Sequence, residues 1–316
     1  MLQSCMRFTD EILQEIIEIL QDRLSSSDSV SFEVLNPDMA HSYSGNKVEI
    51  DGVSYIYRGY KSWMDLAEVL GCKFMTPLKI DKHIIKLHFV KLKPNSFHTQ
   101  KVDDISEKYG IDSSFNLIHK QEESSFLYYY IEALKNAKID KRANILDLGV
   151  NRGDEFETIS YMLQDSFSSK RFVGVDHSSS AIEYAKKRFE SYSNVEFYSC
   201  DINHLSTLNL GRFDMLISIG TLQSTTLNLK PLLMSLVQEH LNSCSSIVLG
   251  FPNSRWIDTQ LVYGAKVPNY TKSELGTLWS DVMFCKKYLQ QKKYRVMITG
   301  KDYIFLSATK IGCNDE

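Results

Sequence analysis

The sequence predicts an α/β protein: a doubly wound, mostly parallel sheet in its C-terminal part, preceded by a smaller α+β domain. Three observations predict it. After Lys120, short apolar runs alternate regularly with helical patterns, the signature of strand-helix-strand units. The segment ILDLGVNRGDEF, Ile145 to Phe156, runs from a strand pattern into a glycine turn and on into a helix. Near the end, YRVMIT and YIFLSATK are separated only by Gly300, Lys301 and Asp302. A loop that short permits only an antiparallel hairpin.

In chain order, Phe8 to Leu24 carries apolar residues at helical spacing, with Thr9 as its expected cap. SSSDS, Ser25 to Ser29, ends that helix. Ser31 to Tyr57 is strand-like, and Asp51-Gly52 is a hairpin signal. Ser62 to Cys72 reads as a short helix and His83 to Lys93 as a strand. Pro94 to Asn116 is polar and poorly periodic, so the boundary falls there, giving domains 1–115 and 116–316. A helix over Glu122 to Asn136 leads into strands at Asn144 to Leu148, Arg171 to Asp176, Val195 to Ser199, Phe213 to Ser218 and Ser246 to Phe251. Ser178 to Glu190 and Lys230 to Leu241 are among the intervening helices.

The chain has 316 residues, 43% of them hydrophobic, and a formal net charge of -3. That length buries one large core or one large and one small, and that charge gives no bulk affinity for polyanions. The six cysteines, at 5, 72, 200, 244, 285 and 313, form no CxxC pair. They read as scattered reduced thiols, with no metal site, as suits a cytoplasmic protein. Acids interrupt the apolar N-terminus, and no apolar run reaches 18 residues, so neither a signal peptide nor a membrane span is expected.

The glycine turn fails the dinucleotide fingerprint, because Asn151 and Asp154 stand where its second and third glycines belong. Its pattern is D-x-G-x-N-x-G, on Asp147, Gly149, Asn151 and Gly153. This resembles motif I of the class I S-adenosylmethionine-dependent methyltransferases, with Asn151 in place of the middle glycine. Asparagine most readily shares glycine's left-handed conformation. Two further acids fall where that family puts them. Asp176 ends the second strand, 29 residues after Asp147, and Asp201 ends the third. Asp201 alone would read as an ordinary loop acid, Asp176 as the neighbour of a helix cap; the ordered spacing of all three carries the likeness.

The resemblance covers the C-terminal domain only. It implies a seven-stranded sheet with an antiparallel last strand, S-adenosylmethionine as cofactor, Asp176 on the ribose hydroxyls, and Asp201 and Ile202 beside the adenine. His177 and Ser218 complete the expected cofactor contacts. The acceptor should lie at the carboxyl ends of the fourth and fifth strands, where Gln223, Asn253, Arg255 and Trp256 follow. In form, Thr221–Gln223 and Phe251–Asn253 resemble the same loops of MetW-like methyltransferases, and of small-molecule methyltransferases generally. No N-P-P-Y or P-C motif follows the fourth strand, which leaves direct in-line displacement. His119, His177 and His204 lie near the cofactor loops, but a surface or capping role is the commoner one for each, and none is named as a base.

Lys73, Lys79, Lys82, Lys86, Lys91, Lys93 and Lys101 interleave with Phe74, Phe89, Phe97, His83, His88 and His98. That mixture suits a nucleic-acid strand or a phosphorylated acceptor, although a solvated lysine face is commoner. Three functions follow: methylation of a small acceptor held between the domains, modification of RNA with the lysine-rich segment as docking surface, and cofactor binding without turnover by a partner protein. An oligomer is compatible with each.

Overall fold

The computed structural model describes residues 6–39, 43–92, 107, 109–224, 226–257, 260–263 and 276–313. The chain forms two compact units, residues 1–95 with 258–261, and 96–257 with 262–316. The division at 95 differs from one at 115 because residues between them bond to the larger unit: the Glu107 carboxylate accepts from the Ser179 amide at 2.9 Å, and the Ile111 amide donates to the Ser180 hydroxyl at 3.1 Å.

In the smaller unit, β1 (Met6–Arg7) is followed by α1 (Leu13–Ser26), β2 (Ser29–Leu35), β3 (Lys47–Ile50), β4 (Val53–Ile56), α2 (Tyr60–Val69), β5 (Cys72–Phe74), β6 (Leu78–Lys79) and β7 (Ile84–Lys91). The sheet order is β1-β2-β7-β5, with β6 also on β7. Helix α1 buries Ile16, Leu20 and Leu24, four residues apart on one stripe. It starts at Leu13, not Phe8. The Phe8 amide donates to Glu33 at 2.9 Å and so prolongs the strand pairing, and the Ile12 amide finds the Glu15 carboxylate at 3.2 Å, so Thr9 is no cap. The Asp51-Gly52 hairpin joins β3 to β4, with φ of 51° and 77°, as its tight turn demands. Of the aromatics among the lysines, Phe89 is fully buried beside Phe32 and Trp63, so its ring belongs to the core.

The larger unit runs α3 (Ser124–Asn136), β8 (Asn144–Leu148), α4 (Asp154–Leu163), β9 (Arg171–Asp176), α5 (Ser179–Arg188), β10 (Val195–Ser199), β11 (Phe213–Ile219), α6 (Leu229–Ser235), β12 (Leu241–Pro252), β13 (Ser254–Ile257), β14 (Gln260–Tyr263), α7 (Gly276–Gln291), β15 (Tyr294–Gly300) and β16 (Tyr303–Lys310). Seven strands form one sheet in the order β10-β9-β8-β11-β12-β16-β15. From β10 to β12 all pairs are parallel; β16 is antiparallel to both β12 and β15. The sheet separates two apolar clusters. Successive residues of β8 serve opposite faces: Leu146 and Leu148 join one cluster, Ile145 the other. Asp147 shares the face of Ile145, towards Tyr130 and Phe156.

The chain leaves β8 towards β9 and β10, then returns to pair β11 with β8. The order reverses there, and in open sheets of this kind such a switch point, at the carboxyl ends of the strands, is the crevice where ligands bind. Among the described residues no helix is long and apolar enough to cross a membrane.

The thiols depart from the sequence reading. Cys244 and Cys313 form a disulfide, with Cα atoms 5.7 Å apart and a sequence separation of 69. Antiparallel pairing of Ser246 with Thr309 carries the two chain segments past each other and brings the cysteines together. Cys72, Cys200 and Cys285 are free, and Cys5 lies outside the described residues.

Candidate active site

The turn after β8 is built from three left-handed residues: Gly149 at φ 79°, Asn151 at φ 46° and Gly153 at φ 86°. Asparagine tolerates that region because its short side chain can bond locally; here the Asn151 amide group donates to the Tyr109 carbonyl at 2.7 Å. The Gly149 and Val150 amides both point at the Val175 carbonyl, at 2.8 and 3.3 Å. Asp176 ties the turn to the next helix. One carboxylate oxygen accepts from the Asn151 amide at 2.8 Å, the other from the Ser178 amide at 2.9 Å. Ser178 caps α5 through its own hydroxyl.

Residues before α3 brace this turn. Arg152 donates to the carbonyls of Asn116 and Ile118 at 2.6 and 3.0 Å and lies 3.1 Å from the His119 ring. Glu107 accepts from the Ser178 hydroxyl, the Ser179 and Ser180 amides and the Ser180 hydroxyl, at the start of α5 where the helix dipole favours an anion. These partners lie in or beside the stretch that the sequence presents as a featureless linker; no local pattern announces them.

Next to the turn, β11 is followed by Gly220, with φ 73° and its amide on the Gly250 carbonyl at 2.8 Å. A Cβ on Gly149 would overlap Thr221, and one on Gly220 would overlap the Tyr303 phenol. The space beside Gly149 is therefore taken by a side chain of this chain. Lys120 donates to that phenol at 3.4 Å. Ser218 is fully buried and gives its hydroxyl to the Leu148 carbonyl at 2.9 Å. Asp201 accepts from the Asn203 amide at 2.8 Å and caps a short helical turn, with Ile202 buried behind it. His177 and His204 are exposed.

On the other side, Leu222, Gln223, Asn228, Lys230 and Asp281 line a groove of about 560 Å³. The Gln223 amide reaches Asp281 at 3.5 Å. Asn253 is tied instead to the β15–β16 turn, through Asp302 at 3.3 Å and Lys301 at 3.4 Å. Arg255 and Trp256 are on β13, and their side chains lie outside the described residues.

Comparison with known proteins shows which family the larger unit belongs to. A methyltransferase-domain family matches residues 139–298, half of the chain. The chain belongs to that family. It carries a methyltransferase domain. No curated protein matches the sequence. Similar solved structures include the plantazolicin methyltransferase BpumL, 15% identical over 65% of this chain and 94% of that one, with a TM-score of 0.45. The N-methyltransferase NodS from Bradyrhizobium japonicum WM9 is 15% identical over 59% and 87%, at 0.40. The methyltransferase domain of bacterial CtHen1 is 16% identical over 60% and 98%, at 0.43.

The methyltransferase concentrates acids around its turn. Asp147 is enclosed, and neither carboxylate oxygen has a hydrogen-bond partner. Burial, with Glu155 and Asp176 nearby, holds its carboxyl well above the usual range. Burial also pushes Glu155 up to about 7, with Asp154 adding to the shift and Lys120 opposing it. Asp176 is raised by burial against the pull of its backbone donors. Neither Glu155 nor Lys120 was singled out from sequence. Glu155 follows the turn on α4 and is legible as a second acid only once that helix is placed. Lys120 precedes α3, far from motif I in the chain.

Proposed function

We propose that this enzyme transfers the methyl group of S-adenosylmethionine, by in-line displacement, to a small acceptor at the carboxyl ends of β11 and β12. The observation that carries the reading is the turn itself: Asn151 takes up the left-handed conformation of the glycine it replaces, while its amide is clipped to Asp176. The turn thereby keeps the shape of motif I.

The residues fit the cofactor. The donor is a sulfonium with an ammonium, and the acids Asp147, Glu155 and Asp176 suit a cation. Each Asp176 oxygen engaged by a backbone amide retains a further lone pair, so the carboxylate can accept the ribose hydroxyls while holding the turn. Asp201 and Ile202 stand at the third strand for the adenine, with His177 beside the ribose. Ser218 acts through the Leu148 carbonyl, which it orients, and Gly149 and Gly153 set the path of the backbone.

When bound, S-adenosylmethionine supplies an electrophilic methyl group with its own leaving group. The chain then has to position the acceptor and exclude water, which can account for most of the catalysis. Gln223 is placed to orient an acceptor amine or hydroxyl in the groove, with Asn253, Arg255 and Trp256 following β12. The likeness of the two loops to MetW-like methyltransferases supports a small acceptor. Calorimetric titration with S-adenosylmethionine, S-adenosylhomocysteine and NAD tests the cofactor reading: the first two bind and NAD does not. Tight NAD binding with no affinity for the methyl donor would overturn it.

A further inference from the structure

We propose that the methyl acceptor is an amine, and that Asp281 on α7 receives its nitrogen in the groove beside Gln223. This names the substrate class of the acceptor site proposed above and rests on that reading.

The groove begins next to the glycine turn. Thr221 lies against Gly149, and Gln223, two residues on, lines the groove. Two residues of chain span at most about 7 Å, so the groove opens within the length of a small molecule from the turn. Leu222, Leu227 and Leu229, buried or half-buried, form its apolar wall, and Asp281 and Lys230 supply its charges. All of these residues belong to the larger unit.

The two charges do not neutralise each other. The Lys230 ammonium lies over the Phe284 ring, 5.4 Å from its centroid, and makes no ion pair with Asp281. Lys230 is exposed, so water screens its charge and an anionic ligand gains little there. Asp281 is half-buried, on the stretch of α7 that sends Leu278, Val282 and Cys285 into the core. Among the described residues no cation reaches its carboxylate, and its one hydrogen-bond partner is the Gln223 amide, at a long 3.5 Å. A partly desolvated carboxylate with lone pairs to spare favours a cation or an N–H donor and repels an anion.

Counting hydrogens then selects nitrogen over oxygen. A carboxylate only accepts, so the Gln223 nitrogen faces Asp281 and the amide oxygen is left to accept from a ligand. The groove thus offers two acceptors. A primary amine has two hydrogens to give them and keeps its lone pair for the methyl group; a hydroxyl has one hydrogen. The lone pair of the neutral amine forms the N–C bond as the C–S bond breaks, and the electron pair of that bond stays on sulfur, leaving a thioether. Positive charge moves from sulfur to nitrogen, where the Asp281 carboxylate stabilises it. The methylated ammonium then gives its extra proton to water. Burial, with Asp281 adding to it, pushes the neighbouring Cys285 thiol up to about 12, so that sulfur stays protonated and does not compete as a nucleophile.

Binding and methyl transfer are measured on one set of probes: butylamine, benzylamine and phenethylamine, each with the alcohol and the carboxylate of the same carbon skeleton. Ligand-observed NMR follows binding to protein loaded with S-adenosylhomocysteine, and mass spectrometry follows the methyl group from labelled S-adenosylmethionine. At least one amine is expected to bind and be methylated, with its alcohol and carboxylate worse by about tenfold or more. Asp281→Asn is expected to lower amine binding and transfer by about tenfold while affinity for S-adenosylmethionine stays within about twofold, and Asp281→Glu to restore part of the transfer. Transfer that prefers an alcohol or a carboxylate overturns the proposal, and so does parent-like amine binding in Asp281→Asn. Equal loss of amine and cofactor affinity in that variant would mean that Asp281 serves the fold, and overturns it too. Failure of every amine to bind or to accept a methyl group overturns it without any variant. A parent with no affinity for S-adenosylmethionine overturns the cofactor reading instead, a distinct result.

Discussion

The backbone amide of Asn151 lies 2.8 Å from the Asp176 carboxylate, and that bond joins the turn after the first strand of the larger sheet to the end of the second. The other oxygen of the same carboxylate holds the Ser178 amide at the start of α5. One side chain therefore sets the distance between the two loops proposed to hold the cofactor.

Asp176→Ala is expected to weaken S-adenosylmethionine binding by about 2–4 kcal/mol, through loss of charge-assisted bonds to two hydroxyls. It should also lower folding stability by roughly 1–2 kcal/mol, because two backbone amides lose their acceptor. Asp176→Asn keeps one acceptor and should cost less in both. Calorimetry and urea denaturation on the same preparations separate the two effects. Parent-like affinity in the alanine variant would remove Asp176 from the ribose.

Gly149→Val should abolish cofactor binding, with Thr221 as the immediate obstacle. A Cβ at Gly149 meets the Thr221 side chain, and φ of 79° is unfavourable for any branched residue. Thr221→Gly in the Gly149→Ala background should recover part of the lost stability but not the share due to backbone strain, about 1 kcal/mol. Denaturation of the single and double variants checks this. No recovery at all would mean that the strain alone accounts for the cost.

Glu155 makes stability depend on pH. Its carboxyl is pushed up to about 7 from an ordinary value of 4.5. The folded state then holds a proton that the unfolded state has released between these values, so stability falls as pH rises through that window and levels off above about 7. Asp147 is shifted in the same direction. Glu155→Gln removes the first contribution, and should therefore gain on the parent by roughly 1–3 kcal/mol between pH 5 and pH 8. Thermal unfolding at the two pH values measures it; a constant difference would place Glu155 in water. Ionised Glu155 favours a cation, so affinity for the methyl donor should rise over the same range more in the parent than in the variant.

Gln223→Ala and Arg255→Ala should leave cofactor affinity unchanged and each lower methyl transfer by about tenfold, roughly 1.4 kcal/mol of transition-state stabilisation. Single-turnover rates at saturating cofactor, once an acceptor is in hand, provide the measurement. A loss of cofactor affinity instead would move the residue to the cofactor side of the crevice.

Much of this was legible in the sequence because it is local. Strands Asn144–Leu148, Arg171–Asp176 and Val195–Ser199 follow from apolar runs bounded by turn residues. The closing hairpin follows from a connection too short to cross the sheet. The left-handed Asn151 follows from its spacing between two glycines. Each depends on neighbours within a few residues, and so leaves its mark on the chain order itself. The start of α1 is not legible for the converse reason: Phe8 has the spacing of a helix, but a partner on β2 claims its amide.

The tertiary structure alone decided which polar groups meet. The Cys244–Cys313 bond arises from two antiparallel strands that pass each other. Thr221 covers Gly149, and Lys120 reaches Tyr303 from 183 residues away. Asp147 and Tyr130 become enclosed together, with half-buried Glu155 beside them, only when α3 and α4 close over the same face of the sheet. Burial and electrostatic coupling are properties of distance in space, and a sequence orders its residues only along the chain. An aspartate followed by glycine turns could thus be read as a site, but whether water or protein surrounds its carboxylate depends on packing between segments that the chain keeps far apart.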